Sequence, residues 1–499
     1  MELIKNWTDA LRYQPYWQWD KQYQKLLTET VNHSKWRQNY HIQAESGLLN
    51  DPNGFSYFNG QWHLFYQIYP MGPVHGVKSW YHVSSDNLVD WQPEGFALLP
   101  DMTYDSHGVY SGSGIVIDDE LILAYTGNVR DQDWQRKSYQ MLAAMNKQGE
   151  ITKQDKPFIS APPKGYTHEF RDPQVFKYQE QYWLLIGAQT DQLKGKVLAY
   201  AGDTLEKLEF KGELHFTDQS MGFMVECPNL VFIEETPVLL FCPQGLDKEV
   251  LDYQNIYPNT YIVAETFDPE TLTLTQPKAL KNLDEGFDVY ATQAFNAPDG
   301  RALAVSWVGM PETAYPSDHE GWAHCLSIVK ELKLKNGHLC QTPIKEQAEL
   351  RQEQTALAGE LTSQPAVLMQ ATNNCYEVIL KFTAGSQGKL HLFADQELNH
   401  SLVIDFDTKN GMIKMDRTNA GSPFAQEYGT TRSVSIEKNQ PLTLQLFVDQ
   451  SVCELFINGG QQVATARIFP GEGEDGVVIE GAAGSYAGDF WRLRSMKND

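Results

Sequence analysis

The sequence predicts an all-β fold: a five-bladed β-propeller followed by a β-sandwich, with a short helical segment at the N-terminus. Three patterns carry that prediction. Pairs of strand-like runs recur at roughly the length of a propeller blade. After about Pro343 that period stops, and short runs alternating apolar and polar residues take over. Only the first 32 or so residues carry a helical spacing.

In that opening stretch Tyr23, Leu26 and Leu27 fall at i, i+3 and i+4, which places one apolar stripe against the body, so residues 1–35 read as a helical extension. Propeller blades are expected over 36–345. Asn50-Asp51-Pro52-Asn53-Gly54 opens a strand that turns at Asn59-Gly60 into a second one. Arg171-Asp172-Pro173 and Glu226-Cys227-Pro228 open two more such hairpins, while Tyr110-Ser111-Gly112 and Tyr290-Ala291-Thr292 open copies without the proline. The starts at 51, 111, 172, 226 and 290 are spaced by 60, 61, 54 and 64 residues, room for four strands per unit. Residues 346–372 are polar and rich in Gln, Ala and Glu, and read as a link. Seven alternating runs between 376 and 495, with turns such as Asn410-Gly411 and Asn458-Gly459-Gly460, make 373–499 a two-sheet sandwich.

A propeller brings equivalent blade positions together at one end of its axis, so the period alone predicts that Asp51, Asp172 and Glu226 converge in one pocket. Two carboxyl groups in one pocket, one ionised and one protonated, are the working parts of a glycoside hydrolase. Donors in the turn around Asn53 and Gly54 would keep Asp51 ionised, as a nucleophile requires. Apolar neighbours at Met224, Val225, Cys227 and Pro228 would favour the protonated form of Glu226 and suit it to the acid role. Arg171 beside Asp172 would keep that group a permanent carboxylate for sugar hydroxyls. Trp80, Trp91, Tyr110, Tyr290 and Trp307 lie near unit starts or inner strands, where a sugar pocket needs aromatic walls.

Composition narrows the rest. A formal charge of −24 gives no positive field for nucleic acid or an anionic membrane. No run of 18 apolar residues occurs, and the first residues lack the basic-then-apolar layout of a secretory signal. Six dispersed cysteines read as reduced thiols, so a cytoplasmic protein is expected. His41, His63, His75 and His82 lack metal-ligand spacing, and Gly112 and Gly114 precede a strand rather than a helix, so no metal or cofactor is expected. The expected partner is a small-molecule sugar; the number of subunits is left open.

LLNDPNG (48–54), FYQ (65–67), YSGSG (110–114), FRDP (170–173), ECP (226–228), FDVYATQ (287–293) and FVDQSVCELFING (447–459) resemble the family 32 glycoside hydrolases, the invertase and fructanase group. The resemblance implies hydrolysis of a β-fructofuranosyl bond with retention. By motif, Asp51 resembles the family's nucleophile, Asp172 its transition-state stabiliser and Glu226 its acid/base. Asn50, Gln67, Tyr110, Ser111, Arg171, Tyr290 and Trp307 resemble its fructosyl-site lining. PVHGVKSWYHV (73–83) and GWAHCLS (321–327) look most like the bacterial intracellular sucrose-6-phosphate hydrolases. Fructan hydrolysis, fructosyl transfer and a non-catalytic sugar-binding propeller are the competing expectations. For a phosphorylated sugar, His75 and Lys78 are the basic groups nearest by sequence, with a solvated loop lysine as the plain alternative.

Overall fold

A computed structural model describes residues 1–497; the last two positions of the expected sandwich, 498 and 499, lie outside the described residues. Its regular elements are almost all strands. Four-stranded antiparallel units follow one another, opening with Gly47–Phe58, Val109–Ile117, Tyr166–Tyr178, Met224–Ile233 and Val289–Asn296. Each opening strand packs against the next, and the last packs back on the first. Trp322–Ala323, late in the chain, adds a parallel pairing to Gly47-Leu48 of the first unit.

The opening strands share a local irregularity that the repeat encodes. Two residues face one at Asn50-Asp51, Asp172-Pro173, Cys227-Pro228 and Ala291-Thr292, and Ser111 is likewise extra in its strand. Such bulges re-aim side chains out of the ladder. Asp172, Cys227 and Ala291 adopt positive φ there (66°, 49° and 47°). Two residues beyond each bulge stands a buried polar side chain that ties its strand to a neighbouring one. Asn53 Oδ1 accepts from the Gly112 amide, Ser113 Oγ bonds Pro173 and Val175, Gln174 bonds both backbone groups of Leu230, Asn229 bonds Thr292 and Ala294, and Gln293 bonds Phe55 and Gly112. These bonds satisfy backbone groups that the bulges free from the ladder.

Two six-stranded sheets follow, and Leu380, Leu390, Ile404, Leu444, Leu455 and Phe490 are fully buried among the side chains between them. The expected link differs from the structure. Arg351–Glu360 is an edge strand paired with Ser485–Leu493, and Ala366–Met369 pairs with Gly476–Ala483. Only Leu357 of Arg351–Glu360 is buried, so the strand has the composition of a linker. The N-terminal helix spans Lys21–Asn32, capped by the Asp20 carboxylate accepting from the Gln22 amide at 2.6 Å. Its buried stripe is Tyr23, Leu27 and Val31; Leu26 is only half-buried.

His41 is a structural histidine of an unusual kind. Its Nδ1 meets Asp449 at 2.9 Å and its Nε2 meets Glu454 at 3.1 Å, and Glu454 also holds Lys330 at 3.0 Å, all of them buried. Both acids come from the FVDQSVCELFING run, so the cluster pins the sandwich to the start of the first unit. Burial opposes the charged imidazole, but the bonds to Asp449 and Glu454 outweigh it and lift His41 to about 9. Burial would raise the Glu454 carboxyl, yet the Lys330 ammonium and His41 bring it down to about 2. The His41 contribution is therefore present below 6.5 and lost as pH rises towards about 9. The Glu454 contribution is present above 4.5 and lost as pH falls towards about 2. Glu454→Gln is expected to cost about 3–5 kcal/mol, because it leaves a buried lysine unpaired. Denaturant unfolding at pH 6 checks this; a loss under about 1 kcal/mol, the usual size for an exposed pair, would show that the cluster carries no stability.

Candidate functional site

The bulges aim their side chains into a cavity of about 460 Å³ at one end of the ring of opening strands. Asn50, Asp51, Asp172 and Glu226 line it, with Gln67, Tyr110, Ser111, Arg171, Tyr290 and Trp307. These ten sequence candidates thus meet in one place. Trp80 and Trp91 do not: both are buried in the core, Trp80 donating its indole N–H to the Tyr110 carbonyl at 3.1 Å.

One equivalence needs correcting. Counted from the buried polar ring, Cys227 occupies the bulge position of Asp51, Ser111 and Asp172, while Glu226 sits one residue earlier, level with Asn50, Tyr110, Arg171 and Tyr290. The offset separates the acids chemically. Ser111 Oγ donates to Asp51 Oδ2, and Asn50 Nδ2 to Oδ1 at 3.0 Å. Gln67 and Lys78 brace these donors: Gln67 Nε2 reaches Ser111 at 3.0 Å, and Lys78 Nζ reaches Asn50 Oδ1 at 2.6 Å. Glu226 instead receives Arg171 Nε and Nη2 on Oε1, at 3.0 and 2.8 Å, and the Tyr290 hydroxyl on Oε2 at 2.7 Å. The apolar surroundings expected for Glu226 are therefore replaced by a guanidinium and a phenol. Arg171, expected to serve its neighbour Asp172, turns to Glu226 and Glu169. Asp172 accepts the Cys227 backbone N–H at 2.9 Å.

Burial first, and then the Glu226 charge, lift Asp172 to about 7. Asp51, expected to be held ionised by local donors, is raised by burial, which outweighs the Ser111 and Asn50 bonds. Asp51 and Asp172 thus hold a proton more tightly than isolated acids would. Oxygens of Asp51 and Asp172 and Sγ of Cys227 lie within 4.8 Å of one another, a spacing that could ligate a metal. Burial, and then Asp172 and Asp51, push the Cys227 thiol well up, which disfavours the thiolate a metal needs.

Lys78 is 3% exposed and lines the cavity. Burial brings its ammonium down to about 7. Its nitrogen serves Asn50, so the solvated-lysine alternative fails, and its place is beside Asp51. His75 also lines the cavity, 6.1 Å from Trp307 between ring centroids. Reading the sequence missed Arg12, Tyr13, Arg130, Trp134 and Arg136, which line the same cavity from distant segments. No local motif marks them.

A cavity holding three carboxyls, neutral donors on one and a guanidinium on another, above a ring of sugar-compatible polar groups, is the site of a glycosidase. The chain matches the Glycosyl hydrolases family 32 N-terminal domain over residues 41–343 and the family 32 C-terminal domain over 343–492. It is 47% identical to the sucrose-6-phosphate hydrolase of Pediococcus pentosaceus, covering 99% of this chain and 97% of that one. With the Streptococcus mutans sucrose-6-phosphate hydrolase it shares 45%, over 98% and 100%. Among solved structures, the sucrose-6-phosphate hydrolase of Lactobacillus gasseri superposes with a TM-score of 0.95 at 45% identity, over 99% and 100% of the two chains. A Bombyx mori family 32 β-fructofuranosidase mutant in complex with sucrose gives 0.79 at 30%, over 96% and 99%. The chain belongs to glycosyl hydrolase family 32.

Proposed function

We propose that this protein is a retaining β-fructofuranosidase that hydrolyses sucrose 6-phosphate, and sucrose itself, to fructose and glucose 6-phosphate or glucose. The observation that carries the reading is the unequal partnering of Asp51 and Glu226 in one cavity. Asp51, oriented through both oxygens by Ser111 and Asn50, is the nucleophile. Glu226, oriented by Arg171 and Tyr290, is the acid and then the base. Glu226 gives its proton to the glycosidic oxygen while an Asp51 oxygen bonds to the anomeric carbon, and the glucosyl group leaves as an alcohol. Water then gives a proton to Glu226, attacks the same carbon and breaks the ester to Asp51. Asp172 faces the developing positive charge and hydroxyls of the fructosyl ring, and Gln67, Tyr110 and Trp307 line that ring's seat.

The successive four-stranded units fit the five blades of a propeller over 36–345, with the sandwich beyond. Among the described residues no helix is long and apolar enough to cross a membrane, and the six cysteines are free. Free thiols support a cytoplasmic setting. The competing non-catalytic propeller would have no use for a matched acid and nucleophile. The test follows product and anomer together. Proton NMR during turnover is expected to show β-fructofuranose as the first product, with a higher kcat/KM for sucrose 6-phosphate than for sucrose. Initial release of the α-anomer would overturn double displacement.

A further inference from the structure

We infer that Arg12, Arg130 and Arg136, with Tyr13, form a subsite for a phosphate monoester on the departing sugar. The inference rests on the reading of the substrate above and assigns the phosphate to these arginines rather than to His75 and Lys78. Arg130 and Arg136 are direct cross-strand partners at the tip of one hairpin. Like charges directly opposite each other on a sheet repel and destabilise it. Arg136 is compensated by Glu169. Among the described residues Arg130 and Arg12 have no ion pair, and the buried Nε atoms of Arg12, Arg130 and Arg136 donate to no acceptor. Arg130 Nη1 donates to the Trp134 carbonyl at 3.3 Å; in a chain of net charge −24, guanidinium groups at a cavity wall without a carboxylate partner form a local anion site.

The position suits the leaving group. From Glu226, contacts run through Arg171 and Glu169 to Arg136, so the cationic wall lies on the side of the acid. The Arg136 guanidinium also stands 5.6 Å over the Tyr110 ring, the residue next to Ser111. The extension supplies the rest of the wall. Tyr13 packs edge-on against Trp134 of the hairpin tip, with centroids 5.2 Å apart. The Val77 amide donates to the Arg12 carbonyl at 2.8 Å and the Tyr69 hydroxyl to that of Leu11 at 3.0 Å. The seat is cut for it: a Cβ on Gly76 would stand 2.6 Å from the Arg12 carbonyl oxygen, and one on Gly72 2.0 Å from the Trp7 ring. Residues 1–40 lie outside the family match, which begins at residue 41. Two further carboxylates, Asp9 and Glu312, line the same cavity.

The experiment compares kcat/KM for sucrose 6-phosphate and sucrose in the wild type, Arg12→Met, Arg130→Met and Arg130→Lys, together with calorimetric binding of glucose 6-phosphate and glucose. Arg12→Met keeps the backbone bond to Val77, so the extension stays docked. Each Met variant is expected to lower the phosphate-to-sucrose ratio by about 10–100-fold, chiefly through KM. Arg130→Lys should recover part of the ratio, and glucose 6-phosphate should lose its advantage over glucose. A wild-type preference that survives in both Met variants overturns this placement. A wild type that shows no preference overturns the substrate reading itself.

Discussion

Asp51→Ala is expected to reduce kcat on sucrose 6-phosphate by roughly 10⁴-fold or more, the scale seen when a member of a concerted catalytic unit is removed. No second carboxylate can replace it: Asp172 is held by the Cys227 amide and Glu226 by Arg171 and Tyr290. Stability should move the other way. Burial raises the Asp51 carboxyl, so the folded state binds that proton more tightly than the unfolded chain does. Sign follows directly: at neutral pH the ionised group costs stability, and the penalty vanishes as pH falls below the unfolded value of 3.8. Asp51→Asn, which keeps the shape and can still bond Ser111, should therefore melt at or above the wild-type temperature while remaining inactive. Calorimetry beside steady-state kinetics reads both. Turnover above about 1% of wild type would put the nucleophile elsewhere, and a fall of several degrees in Tm would make Asp51 a structural residue.

The proline-marked openings were legible because the bulge that re-aims a cavity-lining side chain also needs an unusual backbone, and Asp-Pro and Cys-Pro leave that mark in the sequence. The same mark misplaced Glu226 by one position, since Cys227-Pro228 rather than Glu226 carries the Asp172-Pro173 pattern. Partners were less legible than positions. Arg171 is adjacent to Asp172 in sequence, and the bulge turns both side chains into the cavity, yet its guanidinium spans to Glu226 on the next unit. Lys78 was visible as a basic residue near the site, but not as a buried donor to Asn50. Arg12 and Arg130 escaped altogether, because a docked extension meeting a hairpin tip is a tertiary event with no period or motif. Arg351–Glu360 was misread because an exposed edge strand has the polarity of a linker.

Glu226→Ala should behave differently from Asp51→Ala, and the difference isolates the proton. On sucrose, whose leaving group needs protonation, loss of the acid is expected to cost about 10²–10⁴-fold or more. An aryl fructoside with a good leaving group needs no proton in the first step, so Asp51 should still be fructosylated and release a burst of close to one equivalent of phenol. The second step also loses its base, so turnover after the burst should be slow and the ester should accumulate. Added azide, a nucleophile needing no base, should restore steady release and yield a fructosyl azide of the same configuration as the product that its geometry dictates, on the face opposite Asp51. Arg171 and Tyr290 then matter as positioning residues, since they hold the carboxyl that azide replaces. Asp51→Ala should show no burst with the aryl substrate and no rescue of this kind. If Glu226→Ala lost equal factors on sucrose and the aryl fructoside, with no burst and no response to azide, the acid and base role of Glu226 would be wrong, and the Arg171–Glu226 pair would be a structural ion pair within the cavity wall.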